Sequence, residues 1–491
     1  MRLGDLLQSI ANVRCEPRFN DLLVAMISCD SREPQGNAVF VALSGEKFNG
    51  ADFIREAISK GALAIAKTGA GRQIGEYLVP QNIAVIEVKD TQGFLRQAAE
   101  RFYGQPSSRV KTIGITGTNG KTTITYLLES IIQAAGKTCG VIGTVNHRIG
   151  DQILPSKNTT PGYLDNQRYL AQLLNLNADF CVMEVSSHAL HQRRVDGIDF
   201  AAAIFTNLTQ DHLDYHKDME SYFKAKSLLF TRLSGQAASL INTDDSYGRR
   251  LMLLSQGKTL SFGIDRPAGV MARNIDYRLS GTTFELTFPD GKIQIHTHLI
   301  GKHNVYNILA AAACVYELGF LPVVIKQGIE RLKNVPGRLE AVDSDREFFV
   351  FIDYAHTEDG LLNVLKALRA VSSNRIVVVF GCGGDRDAGK RPKMGRAVCE
   401  LADYAIVTSD NPRSEDPQAI IDQIIAGFIK NNYEVCIDRR EAIGRALHSG
   451  RKGDIVLLAG KGHETYQVLK DKTIPFNERE IAGEFLKSVH N

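Results

Sequence analysis

Apolar residues in this chain follow two rhythms, and their alternation predicts the architecture. Short apolar runs, such as the β-branched Val110 to Ile115 and the strand-like Phe180 to Met183 and Ala201 to Phe205, read as buried strands. Between them the apolar positions recur at helical spacing. Ile124, Leu127, Leu128, Ile131, Ile132 and Ala135 form one such stripe, which Gly136 stops. In the last third Phe348 to Ile352, Ile376 to Phe380, Tyr404 to Val407 and Ile455 to Leu458 again alternate with helical segments. Strands alternating with helices predict an α/β fold of parallel sheets covered on both faces. The N-terminal segment reads as a smaller mixed α/β unit, its apolar runs Ala38 to Leu43 and Ile83 to Val88 separated by helical patterns.

Two turn-forming clusters mark seams, Tyr103-Gly104-Gln105-Pro106-Ser107-Ser108 and Asn334-Val335-Pro336-Gly337. They divide the 491 residues into 1–105, 106–335 and 336–491, and a chain of this length is expected to form about three domains. The strand-like runs also lead directly into polar clusters. Phe180 to Met183 runs into Glu184-Val185-Ser186-Ser187-His188, and Ala201 to Phe205 into Thr206-Asn207 and then Asp211-His212. In the last third the clusters are Asp353-Tyr354-Ala355-His356, Gly381 to Asp387, Asp410-Asn411-Pro412-Arg413 and Gly460 to Glu464. Open parallel sheets bind ligands at the carboxyl ends of their strands. Two sheets with polar rims therefore predict chemistry in a cleft between them.

The most specific cluster is GTNGKTT, where Gly117, Thr118, Asn119, Gly120, Lys121, Thr122 and Thr123 join the strand ending at Ile115 to the helix. Glycines let backbone N–H groups approach a polyphosphate, and the helix N-terminus favours an anion. Lys121 offers a charge to the terminal phosphates, and Thr122 or Thr123 a hydroxyl to a phosphate-bound magnesium ion. ATP with Mg²⁺ is the expected ligand. The usual loop of this kind has a glycine six residues before the lysine, where this chain has Ile115. Magnesium on a phosphate needs one or two protein carboxylates; Glu184 is the best candidate, and His212 reads either as a metal ligand or as a helix cap. GCGGDRD fails the dinucleotide fingerprint because Arg386 occupies its third glycine position. Arg386 and Arg413, each just past a strand, read instead as forks for a planar carboxylate.

Composition removes several alternatives. A net charge of +3 is too small to argue for nucleic acid. The N-terminus lacks the apolar core of a signal peptide and no run reaches spanning length, so a cytoplasmic protein without a membrane partner is expected. Eight scattered cysteines contain no CxxC pair and read as small buried hydrophobes.

Taken in order, GTNGKTT, Glu184 to His188, Thr206-Asn207 with DHLDYH, GKHNVYN from Gly301, PGR from Pro336, DYAHT from Asp353, GGDRD from Gly383 and DNPR from Asp410 resemble the Mur ligase family over essentially the whole chain. The resemblance implies an N-terminal domain for the UDP end of a muramoyl substrate, a central P-loop ATPase domain and a C-terminal Rossmann-like domain for an incoming amino acid. It also implies the reaction: ATP phosphorylates the D-glutamate side-chain carboxylate of a UDP-linked muramoyl dipeptide, and an amine attacks the acyl phosphate. By resemblance Lys121 and the loop amides hold phosphates, Glu184 and His212 serve magnesium, and Asn304, Arg338 and Asp353 lie near the nucleotide. Lys226 matches a lysine that the family carbamylates, making an oxygen donor for a second metal; from the sequence alone Lys224 is equally eligible. For the muramoyl substrate the matching positions are Ser31, Asn158, Thr159, Thr160, Ser186, Gln192 and Arg194. Cys29, where a larger aliphatic residue is common, and Glu358, where proline is usual, depart from the family pattern.

DNPR bears on the amino acid. Diaminopimelate carries a second carboxylate for Arg413 and Arg386, whereas lysine leaves the guanidinium groups unpaired. Asp410, Asn411 and Pro412 complete that motif, and Gly460 with Glu464 match the positions for the amino acid's other end. The resemblance thus implies a monomer acting on ATP, UDP-N-acetylmuramoyl-L-alanyl-D-glutamate and meso-diaminopimelate in peptidoglycan synthesis. The competing readings are a lysine-adding or folate-polyglutamate-type ligase and a nucleotide-binding regulator without catalysis.

Overall fold

Three large sheets organise the computed structural model, which describes residues 1–33, 35–44 and 49–488. The first has five strands in the order Val13–Arg14, Ala84–Val88, Ala62–Thr68, Ala38–Val41 and Met26–Ser28, parallel except at the Val13 edge. The helix Thr91–Tyr103 closes it on one face, packing Phe94, Leu95 and Ala98 against Val39, Val41 and Ile86. Asp90 caps that helix by accepting from Gln92 and Gly93 N–H, and Gly104 at φ 70° ends it.

Eleven strands form the second sheet. Its parallel part runs Cys139–Ile142, Phe180–Glu184, Lys111–Thr116, Phe200–Phe205, Ala238–Asn242 and Lys258–Gly263, joined in parallel by the start of Val270–Arg278. Both faces are covered, as the continuous apolar strands require. Helices Lys121–Ala134 and Lys302–Glu317 bury one face, while Tyr163–Asn175 and Met219–Thr231 bury the other. The sheet continues into an antiparallel meander of Val270–Arg278, Gly281–Phe288 and Gly291–Thr297. Period-2 alternation in Gly281–Phe288 and the two-residue turn Pro289-Asp290 account for it, a departure from the strand–helix rhythm expected there.

The third sheet runs Glu340–Ala341, Phe349–Asp353, Ile455–Ala459, Ile376–Phe380, Tyr404–Val407 and Tyr433–Val435, parallel but for its first strand. Its helices also lie on both faces. A fully buried ion pair, Arg439 to Glu478 at 2.7 Å, ties the helices Arg439–His448 and Glu478–Ser488. The eight cysteines are free, and five of them are buried: Cys181, Cys314, Cys382, Cys399 and Cys436. Among the described residues no helix is long and apolar enough to cross a membrane.

Burial also sets an acid limit on stability. Loss of solvation holds His216, His303 and His463 down to about 4, below the ordinary value near 6.5. Between those pH values the unfolded chain binds more protons, so these groups cost stability as pH falls through that window. Asp353 and Glu478, raised by burial, act in the opposite sense. Because the three histidines outnumber the two raised acids, the urea midpoint is expected to fall from pH 7 to pH 4.5, and acids held low, such as Asp30 at about 2 beside Arg32, add their own loss only around and below their ordinary value of 3.8. An unchanged or rising midpoint would contradict this.

Candidate active site

The strand Lys111–Thr116 lies at the middle of the second sheet, and register aligns its end with two neighbours: Ile115 pairs with Glu184, and Thr116 with Phe205. Three polar strand ends therefore meet at one edge. Ile115 is buried inside the strand, so the turn begins only at Gly117. Gly117 and Gly120 have φ of 145° and 92°, and neither has room for a side chain. A Cβ would lie 1.8 Å from Thr206 Oγ1 at Gly117 and 2.3 Å from Asn307 Oδ1 at Gly120. The loop is strapped down from Thr206-Asn207: Thr206 Oγ1 donates to Asn119 O at 2.6 Å, and Asn207 Oδ1 accepts from Asn119 N at 3.0 Å. Lys121, the first residue of the helix, folds back so that Nζ donates to Gly117 O and Thr118 O, both at 2.9 Å. Burial pulls its ammonium below the ordinary lysine value, with the charges of Glu184 and Asp211 opposing.

Glu184 is buried and faces neutral donors. Thr122 Oγ1 lies 3.1 and 3.2 Å from its two oxygens, Thr144 N donates at 2.8 Å and Thr144 Oγ1 at 3.0 Å. Among the described residues it has no ion-pair partner. A buried carboxylate matched only by hydroxyls and an N–H suits a cation, which the hydroxyls can join as oxygen donors by turning their protons away. Of the two threonines that the sequence leaves open, Thr122 is the one on Glu184; Thr123 is buried beside it. Among the described residues no three His, Cys, Asp or Glu side chains form a metal cluster by themselves. That fits a magnesium ion carried largely by phosphate oxygens and water.

Lys226 lies on the helix Met219–Thr231 with only 1% exposure, whereas Lys224 is exposed. Its Nζ donates to Gly117 O at 2.9 Å and sits 4.6 Å above the centre of the Tyr222 ring. Burial and the nearby Lys121 charge push its pKa well below the ordinary lysine value, only partly offset by Asp211. His212 heads the helix Leu213–His216 but its side chain makes no capping hydrogen bond. The ring packs edge-on to His188 at 4.9 Å and lies 3.4 Å from Asp211 Oδ2, and loss of solvation lowers it to about 4. It is therefore a neutral imidazole at pH 7, the form that binds metal.

Most of the muramoyl candidates gather beside Glu184. Thr160 Oγ1 donates to Glu184 O at 2.9 Å and accepts from Ser186 N at 3.0 Å, while Thr159 Oγ1 lies 3.0 Å from Thr144 Oγ1. Arg194 donates to Thr160 O at 3.0 Å and to Gln192 Oε1 at 2.9 Å. Asn158 precedes them on an exposed turn. Ser31 stands apart on the first sheet, its hydroxyl donating to Glu56 at 2.6 Å. Cys29 is exposed at that sheet's end, and burial of the sulfur beside Asp165 and Asp30 pushes its thiol up to about 11.

The third sheet brings its own rim to the loop. Arg338 Nη2 reaches Thr122 Oγ1 at 3.3 Å; its guanidinium lies over Tyr354 at 4.9 Å, and its Nε is buried with no hydrogen-bond partner. Asp359 accepts from Asn119 Nδ2 at 2.8 Å and from Thr209 Oγ1 at 3.1 Å. Asp353 contributes indirectly. Its carboxylate accepts from Leu339 N and Ala355 N, at 2.6 and 2.7 Å, and so holds the loop carrying Arg338; burial raises its pKa to about 6. Asn304 is likewise one step removed, accepting from Asn307 Nδ2 at 3.0 Å.

Farther along this rim, Arg413 and Arg386 converge on Gly383, where a Cβ would meet Arg413 Nη1 at 3.0 Å and Arg386 Cγ at 3.9 Å. Arg413 has φ of 52° and donates to Gly384 O at 2.7 Å; Arg386 is exposed. Asp410 and Asn411 are buried behind them with Pro412, and Gly460, at φ 115°, leaves no space for a Cβ beside Asp410 Oδ2 at 2.8 Å. Glu464 accepts from Asn411 Nδ2 at 2.9 Å. Three contributors were not singled out from the sequence: Thr144, Asn307 and Asp359. Only Asn307 lay within a recognised motif, GKHNVYN; the others are ordinary polar residues whose role comes from distant strands and helices.

Comparison with known proteins agrees with this geometry. Residues 23–103 match the model described as Mur ligase family, catalytic domain, residues 115–315 that of the Mur ligase middle domain, and residues 337–462 that of the Mur ligase glutamate ligase domain. A UDP-N-acetylmuramoyl-L-alanyl-D-glutamate–2,6-diaminopimelate ligase of Solibacter usitatus (strain Ellin6076) is 44% identical over 494 residues, covering 99% of this chain and 98% of that one. A ligase of the same name from Caldanaerobacter subterraneus subsp. tengcongensis is 44% identical over 489 residues, with 99% of each covered. A solved structure of a ligase with that name superposes with a TM-score of 0.70 at 32% identity over 100% of both chains. The MurF ligase of Thermotoga maritima in complex with ADP, at 18% identity and a TM-score of 0.67 over 95% of this chain and 98% of its own, shares the fold. With a P-loop, a buried carboxylate beside it and a second strand rim facing both, the chain belongs to the Mur ligase family.

Proposed function

We propose that this chain is the ATP-dependent ligase that joins 2,6-diaminopimelate to the D-glutamate of UDP-N-acetylmuramoyl-L-alanyl-D-glutamate, a step of peptidoglycan synthesis. Residues 1–105 take the UDP end of the substrate, 106–335 take ATP, and 336–491 take the incoming amino acid. The observation that carries the reading is the meeting of the two rims at the phosphate loop, where Arg338 reaches Thr122 and Asp359 reaches Asn119. A ligase of this kind must bring a carboxylate, a triphosphate and an amine together, and this junction is where one sheet's nucleotide loop faces the other sheet's ligand rim.

A carboxylate is a poor electrophile, so it must first acquire a leaving group. A carboxylate oxygen of the D-glutamate attacks the γ-phosphorus and ADP leaves; the amine nitrogen then attacks the acyl carbon, phosphate leaves, and the nitrogen loses a proton. Bringing an anion to a triphosphate requires positive charge. Lys121 and the loop amides hold the phosphates, and Arg338, with its unpartnered Nε, turns toward the transferring group. Magnesium, when held by Thr122, Glu184 and His212, neutralises phosphate charge. The buried Lys226 amine, its pKa lowered by desolvation, adds to carbon dioxide in its neutral form with loss of a proton, and the resulting carbamate supplies oxygen beside the phosphate loop. Thr159, Thr160, Ser186, Gln192 and Arg194 orient the dipeptide beside Glu184, and Arg386, Arg413, Asp410, Asn411, Gly460 and Glu464 hold the amino acid.

Phosphate release tests the reading directly. Purified protein supplied with ATP, magnesium and UDP-N-acetylmuramoyl-L-alanyl-D-glutamate is expected to turn over with meso-diaminopimelate and far more slowly with L-lysine. Equal or faster turnover with lysine would sink the choice of amino acid, and no amino-acid-dependent phosphate release would sink the ligase.

A further inference from the structure

We propose that Lys461 is a positioning residue of the amino-acid site: without touching the ligand, its buried ammonium fixes the two side chains, Asn411 and Glu464, that do. The inference rests on the reading of this rim as the amino-acid site. Lys461 follows the strand Ile455–Ala459 and Gly460, and its side chain is fully buried. Nζ donates to Asn411 Oδ1 and to Glu464 Oε2, each at 3.1 Å. Asn411 Nδ2 in turn donates to the same Glu464 oxygen at 2.9 Å, closing a triangle of three hydrogen bonds. The Asn411 amide has its orientation fixed, because Oδ1 also accepts from Val468 N at 2.9 Å. Glu464 Oε1 makes no hydrogen bond among the described residues, leaving that oxygen for the ammonium of an amino acid.

A lysine is a costly choice for this space if its role is only to fill it. Burying an ammonium loses several kcal/mol of hydration, and replacing a buried ion pair as a whole by apolar groups of similar volume is often neutral or stabilising. The surroundings would suit such groups, since the Tyr466 and Phe476 rings lie 5.8 and 6.0 Å from Nζ. Loss of the cation leaves Asn411 Oδ1 with the Val468 N–H and the Glu464 side chain 17% exposed and open to water, while the buried Glu478, which also feels the Lys461 charge, keeps its ion pair with Arg439. What is lost is the geometry of the two ligand-facing groups. A structural lysine would show itself in stability, and a positioning lysine in affinity for one substrate.

Steady-state kinetics and thermal unfolding of Lys461→Met, Glu464→Gln and the double variant separate these outcomes. For Lys461→Met the KM for diaminopimelate is expected to rise about 10–100-fold, the range for removing a group that orients a ligand's direct partner. KM for ATP and for the UDP-linked dipeptide should stay within about twofold, since those sites lie outside the Lys461 hydrogen bonds, and the double variant, which replaces both partners, should keep its melting temperature. Because Lys461 acts through Glu464, the double variant should have a KM close to that of the more impaired single variant, not the product of the two effects. An unchanged KM for diaminopimelate, multiplicative effects in the double variant, or a Lys461→Met protein that does not fold would each overturn the proposal. Failure of the unmodified protein to use diaminopimelate would instead overturn the functional reading, before any variant is compared.

Discussion

Lys226→Ala is expected to lower turnover by about a thousandfold, on the scale of removing a preorganised charge-stabilising group, and acetate or formate at high concentration to restore part of it. This lysine has only 1% exposure and no carboxylate partner among the described residues, contacting the Gly117 carbonyl and the Tyr222 ring. A permanently charged ammonium there would add repulsion from Lys121 to its own desolvation, and both lower its pKa. A neutral amine is the form that reacts with carbon dioxide, and a carbamate at this position would place an oxygen anion beside the phosphate loop. Truncation to alanine leaves a space that a small carboxylic acid can enter, which is why rescue should follow acid size. Lys224→Ala, at an exposed position on the same helix, should change little. Full activity of Lys226→Ala would refute the assignment; loss of activity that no small acid relieves would remove the carbamate while leaving a structural role.

Arg413→Gly is expected to raise KM for diaminopimelate by about 100–1,000-fold, corresponding to the loss of one partner of a desolvated charge pair, with a much smaller effect on the weak use of lysine. Glycine is the informative replacement because Arg413 sits at φ of 52°, where a side chain is uncommon and glycine is at ease. The backbone therefore keeps its turn, and the change measures the guanidinium. Arg413 Nη1 donates to Gly384 O, and the stem of Arg386 lies near the same Gly383 while its Nη1 donates to Asp385 O, so both guanidinium groups are proposed to reach one planar carboxylate. The expected result is a change in selectivity, read as the ratio of kcat/KM for the two amino acids. A ratio that stays constant while both values fall would mean that Arg413 supports the loop and does not read the distal carboxylate.

Much of the fold was legible because local chemistry and tertiary placement agree. GTNGKTT announced a strand, a phosphate loop and a helix, and those elements occur at Lys111–Thr116, residues 117–120 and Lys121–Ala134. The polar clusters after apolar strands were legible for the same reason: a parallel strand buried on both faces can be polar only where it emerges. The meander from Val270 to Thr297 was not anticipated, since short strands joined by tight turns were passed over within a longer strand–helix rhythm.

The candidate site was legible as residue types and less so as partners. The sequence by itself determined the nucleotide loop, the acid that follows the neighbouring strand, the arginines of the far rim and the family to which their order belongs, because each depends on residues close together in the chain. Only the tertiary structure placed Lys226, and not Lys224, beside the phosphate loop and Thr122, and not Thr123, on Glu184, because burial and reach depend on packing from remote segments. It alone turned Lys461 from one residue of a motif into the buried hub of Asn411 and Glu464, since those partners come from different strand ends. Chain-local chemistry names the groups available, but the dielectric around an amine and the partner of a carboxylate are set by residues 40, 62 and 109 positions away, and only folding brings them to the same point.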